Sequence, residues 1–178
     1  AINMPAIADP MKSEAYERER KQTEKNLHKF QEKAERLIDE QINKIKGGEI
    51  RKKTGGLYNP AKISVVIDMK TNKYYYGYNG ANELNLSYDS NLHPELKKML
   101  ENTKQLAKNA KDNEFKDLES FEPWKVDNCA EVYAVNQALK AGSKKEDLFI
   151  ATKRFRQNDT APLCKNCLIT FKDCKFLK

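Results

Sequence analysis

Cys129 and Glu131 stand in the string Asp127-Asn128-Cys129-Ala130-Glu131, and Cys164 and Cys167 in Pro162-Leu163-Cys164-Lys165-Asn166-Cys167. Thiolates bind Zn²⁺, and a helix N-terminus lowers a thiol pKa by presenting partial positive charge. Both strings read as helix openings. The first is followed by Val132, Val135, Ala138 and Leu139 at helical spacing and stops at Gly142, while the second begins with a proline, favoured at a helix start. Cys164 and Cys167 lie three apart on the face of one turn, and Cys129 brings a third sulphur from another helix. Three protein ligands leave a fourth position open, the mark of a catalytic rather than a structural zinc site. Glu131 is two residues beyond Cys129, roughly 200° around a regular helix. That angle argues against side-by-side ligation and leaves the carboxylate to carry protons for an attacking water.

Plainer readings compete. Asn128 to Glu131 also fits a capping-box variant. A C-x₂-C pair is a common structural zinc knuckle, and Cys174 is available as a fourth ligand that would close the site. The co-occurrence of Cys-Ala-Glu and Pro-x-Cys-x-x-Cys, in this order, favours the catalytic arrangement, with Cys174 an idle buried thiol.

With Asn128-Cys129-Ala130-Glu131, Asn136-Gln137-Ala138-Leu139 and Pro162-x-Cys164-x-Asn166-Cys167, residues 60–178 resemble the zinc-dependent cytidine-deaminase-like superfamily. Within it they look most like the YwqJ-like deaminase domains of bacterial polymorphic toxins. The resemblance implies an α/β fold, a three-layer α-β-α domain with a mixed sheet. It implies one Zn²⁺ on Cys129, Cys164 and Cys167, with Glu131 as the non-ligating acid/base. It further implies hydrolysis of cytosine to uracil in single-stranded nucleic acid, DNA favoured. The domain would be secreted by a bacterium, act in the cytoplasm of a target cell, be joined to upstream toxin domains and be restrained by an immunity protein. Deamination of adenine or of a free nucleoside or nucleotide is the first alternative, and a non-catalytic zinc module binding nucleic acid or protein the second.

Composition bounds the rest. The 178 residues allow one domain and an appendage, with 39% hydrophobic and 33% charged side chains. The net charge is +7, and residues 143–178 hold nine basic against four acidic residues. A basic field around the sulphur motif suits an anionic substrate, although a solvated lysine-rich surface would look the same. Four cysteines so spaced do not make a disulfide frame, no apolar run is long enough to span a membrane, and no secretory leader is visible.

Four segments are expected. Residues 1–10 are a linker, a cloning remnant or the cut end of a longer protein. Residues 11–48 form a long N-terminal helix whose stripe of Leu27, Phe30, Ala34, Leu37, Ile38, Ile42 and Ile45 needs a partner, with His28 a surface residue beside it. Residues 49–61 are a basic, glycine-containing linker, and 62–178 the catalytic domain. There, Ile63–Asp68 and Lys73–Tyr78 predict a hairpin, Pro94 opens a helix with a stripe from Leu96 to Ala110, and Asp147–Thr152 predicts a central strand with parallel pairing.

Substrate contacts are expected from the same pass. The resemblance points to Asn79 and Asn82 at the exit of the second strand, and to His93 in a Leu-His-Pro string. Trp124, five residues before Cys129, suits a wall of the base pocket or plain packing. Lys153, Arg154, Phe155 and Arg156 interleave cations with one aromatic, a pattern that suits phosphates and a stacked base.

Overall fold

The computed structural model describes residues 10–86 and 89–177. The expected linker 1–10 falls, except for Pro10, outside the described residues. Helix α1 runs Pro10–Lys46, strands β1 and β2 Lys62–Asp68 and Tyr74–Tyr78, and helices α2 and α3 Pro94–Asn109 and Ala130–Lys140. Strands β3 and β4, Leu148–Arg154 and Asp159–Thr160, and helix α4, Lys165–Thr170, complete the order. Among the described residues, no helix is long and apolar enough to cross a membrane.

The strands form one sheet in the order β2-β1-β3-β4, with every neighbouring pair antiparallel. The four strands therefore form neither the parallel pairing expected of β3 nor the mixed sheet that the resemblance implies. The long connection does carry the chain from β2 to β3, which run in the same sense. β1 lies between them, so the neighbour that hydrogen-bonds to β3 runs the other way. An isolated parallel bridge joins Phe149 to Lys175 near the C-terminal end.

Side chains alternate across the sheet as the pleat requires. Ile63, Val65, Ile67, Phe149 and Ala151 join a buried cluster with Ala34, Leu37, Ile38, Ile42 and Ile45 of α1. The stripe on α1 therefore finds its partner within the chain. Val66, Leu148 and Ile150 face the other way, into a cluster with α2, α3 and Phe171. Helices thus cover both faces. Leu106, expected in the α2 stripe, is exposed at its edge.

The segment 49–61 is tied down rather than a free linker. Ile50 and Tyr58 are buried, Lys52 bridges to Leu84, Lys53 N–H donates to Glu83 O, and the Tyr58 hydroxyl bonds Asn79 O. At the hairpin, Asp68 Oδ1 accepts from the N–H groups of Lys70 and Thr71, and Oδ2 accepts from Ser143 Oγ at 2.6 Å. Gly77 matters for the site. A Cβ there would stand 1.9 Å from Ala130 O, so only glycine lets the start of α3 lie this close to β2.

Candidate metal centre

Cys129 and Cys164 occupy the cap positions of α3 and α4, both with extended backbone, and Cys167 sits one turn into α4. The three sulphurs all lie within 4.8 Å of one another, and Cys129 Sγ is 3.8 Å from Cys164 Sγ. Among the described residues this is the group of His, Cys, Asp and Glu side chains that could hold a metal ion. Cys174 is buried in the core outside it, so the donor set is three.

The sulphurs polarise one another. Hydrogen bonds from Cys129 first, then Cys167 and the N–H groups of the first α4 turn, lower the Cys164 thiol. Cys129 is pushed up chiefly by its bond to Cys164, and Cys167 by its bond to Cys129.

Glu131 is 3% exposed. Its Oε1 accepts from Thr152 Oγ1 at 2.8 Å, and Thr152 Oγ1 lies 2.7 Å from Ser64 Oγ, so a buried hydroxyl pair from β3 and β1 fixes one end of the carboxylate. Oε2 lies 3.7 Å from Cys167 Sγ. Burial pushes the carboxyl above the usual carboxylate range, against the lowering bond from Thr152. The 200° argument fails in its premise, because Cys129 precedes the helix in extended backbone and the regular turn starts only at Ala130. The carboxylate therefore reaches the sulphurs while standing outside the donor group.

A cavity of about 310 Å³ opens over this cluster, at the low end of small-molecule sites. Cys129, Cys164 and Glu131 line it together with Trp124, Asn79 and Lys62. Of the expected contacts, Trp124 and Asn79 thus line this cavity. The Asn79 amide is partly spent inside the protein: Oδ1 accepts from Lys62 N–H at 2.9 Å and Nδ2 donates to Asn128 O at 2.9 Å.

The other expected contacts are elsewhere. Asn82 is exposed on a 3-10 turn outside the cavity lining. His93 caps α2, its Nδ1 accepting from Glu95 N–H at 3.1 Å. Lys153 points to the α1 face, where its Nζ meets Asp39 Oδ1 at 2.7 Å. Arg154 is paired with Asp159, and Phe155 is buried in the α1 cluster under Lys46. Arg156 is exposed on the turn between β3 and β4, away from the cavity lining. The tract turns on strand alternation and near ion pairs, neither visible in its composition.

Residues that composition undervalued hold the site together. Asn166, inside the second motif, accepts from Phe121 N–H at 2.8 Å and donates to Ser120 Oγ at 2.8 Å, clamping the loop that carries Trp124. Asn136 on α3 accepts from His93 N–H and donates to Asn91 O, anchoring the start of α2. A polar residue closing an apolar run, as Asn136 follows Ala134-Val135 and Thr152 follows Leu148-Phe149-Ile150-Ala151, is the signal that could have found them. Lys62 carries no such signal. Comparison with protein-family models, curated proteins and solved structures gave no match.

Proposed function

We propose that this chain is a zinc-dependent hydrolytic deaminase of nucleobases, acting on cytosine in single-stranded nucleic acid, DNA foremost. The observation that carries the reading is the three-sulphur group with the Glu131 carboxylate 3.7 Å from Cys167 Sγ, beneath an open cavity. The donor set fits the ion. Tetrahedral zinc with bonds of about 2.3 Å requires sulphurs about 3.8 Å apart, and Cys129 and Cys164 are separated by 3.8 Å. Three sulphurs without Cys174 leave the set one short of closed.

When bound, a zinc ion there supplies Lewis-acid activation that lets water react near neutral pH. The protein's own groups do the rest. Thr152 holds one oxygen of Glu131 and leaves the other turned to the sulphurs. From there Glu131 takes a proton from the attacking water, gives it to the ring nitrogen and delivers a proton to the departing amine. A C–O bond forms at C4, the C–N bond breaks, and uracil and ammonia leave. Trp124 offers an aromatic face to the base, a stacking contact typically worth roughly 1–3 kcal/mol.

The proposal extends to a three-layer deaminase domain. It is supported by the opening hairpin, the helices on both faces and the C-terminal bridge to β3. It extends also to the toxin setting, with secretion, action in a target cell and an immunity partner, supported by the motif strings. Glu131→Ala is expected to keep the metal and abolish ammonia release. Activity in that variant would overturn the mechanism, and loss of metal from Cys174→Ala would instead favour a non-catalytic zinc module. Sequencing DNA and RNA from cells expressing the chain should show C-to-T changes, whereas A-to-G changes would identify adenine as the base.

A further inference from the structure

Among the described residues that line the cavity, Lys62 is the one cation. The basic tract that looked suited to phosphate is already neutralised in part: Lys153 by Asp39, and Arg154, which lies opposite Lys62 in the sheet, by Asp159. Lys62 is half-buried at the first position of β1, beside Ala61 and Trp124. A cation in a mostly carbon-walled cleft focuses its field on whatever enters. Glu131 feels that charge, which lowers its carboxyl against the larger effect of burial, while its oxygens are held by Thr152 and face Cys167.

The mounting of Lys62 is also built. Its N–H is fixed by Asn79 Oδ1, and Asn79 Nδ2 is fixed by the carbonyl of Asn128, the residue before Cys129. The Lys62 backbone is thereby tied to the residue before Cys129.

We infer that Lys62 recognises a phosphate of the substrate, so that the cavity selects a nucleotide unit over the free nucleoside. This rests on the nucleobase reading above and gives that site its discriminating residue, with Asn79 as a positioning residue behind it.

Trp124 is the chain's single tryptophan and lines the same cavity, so its fluorescence reports occupancy without any turnover. The full chain, loaded with zinc, is titrated with deoxycytidine, with deoxycytidine monophosphate and with a pentadeoxynucleotide bearing one central cytosine. Wild type should bind the monophosphate on the order of tenfold more tightly than the nucleoside, as one charge-assisted contact provides. Rising salt should erode that preference. Lys62→Arg should keep the ratio, and Lys62→Met should bring it to about one. Absence of the preference in wild type, or its survival in Lys62→Met, would overturn the inference. Tighter binding of the pentamer, lost in Lys62→Met, assigns the phosphate to a polymer; no gain over the monophosphate assigns it to a mononucleotide. Lys62-dependent preference without ammonia release from any ligand leaves this inference standing and removes the deaminase reading. Equal kcat/KM on nucleoside and nucleotide, in wild type and Lys62→Met alike, does the reverse.

Discussion

Strand β3 serves two regions of very different composition. Phe149 and Ala151 join the α1 cluster, while Leu148 and Ile150 face α2 and α3. On the α1 face the buried polar side chains are few and locally satisfied, as where the Tyr78 hydroxyl donates to Gln41 Oε1 and Lys153 meets Asp39. On the opposite face Ser64, Thr152, Glu131, Asn136 and Asn166 are all buried and bonded to one another or to backbone. Apolar packing stabilises without direction, whereas hydrogen bonds fix orientation. Both faces bury apolar clusters, and the face of α2 and α3 adds the polar network that holds the thiols and the carboxylate in place.

That contrast can be broken from either side. Cys164→Ala should reduce bound metal, measured by elemental mass spectrometry, from one equivalent to near none while the circular dichroism of the chain persists. Loss of the fold with the metal would mean that the two faces are not separable. Ile38→Ala empties a fully buried position under the sheet and should cost about 2–5 kcal/mol in urea unfolding, with metal content unchanged while the chain is folded. Gly77→Ala should act through α3 on stability and metal binding together. Its Cβ meets Ala130 O, so α3 must move, at a cost of about 1–3 kcal/mol, and metal affinity should weaken with it.

Asp68 provides the smallest and most pH-specific test. Burial raises its carboxyl, but the hydrogen bonds from Ser143 and the Lys70 and Thr71 N–H groups outweigh it and leave the folded pKa below the ordinary value. A depressed carboxyl stabilises the fold above its unfolded pKa of about 3.9 and loses that contribution as pH falls through the folded value. Asp68→Asn should therefore cost about 1 kcal/mol at pH 7, with the gap to wild type closing as pH drops below about 4. A gap independent of pH would show that shape, not charge, makes the turn.

What was legible in the sequence depended on how local its cause was. The cysteine strings, their helix openings and the α1 stripe follow from residues within one or two turns, and the structure has them in place. The pairing of β3 was not local, since it depends on β1 coming to lie between β2 and β3. The Lys153–Arg156 tract misled for the same reason: the partner of Lys153 is Asp39, 114 residues away. Lys62 was passed over because a lysine at the head of a strand looks ordinary until the cavity around it is known.

The centre draws its sulphurs from the starts of two helices, and Cys129 and Cys164 lie 35 residues apart in the chain. During synthesis the first thiol leaves the ribosome roughly two to seven seconds before the second, at 5–20 residues per second. A nascent chain can therefore assemble α1 and the hairpin before the sulphur group is complete. The group can form only once Cys167 has been made, and a chain stalled before Cys164 would lack it.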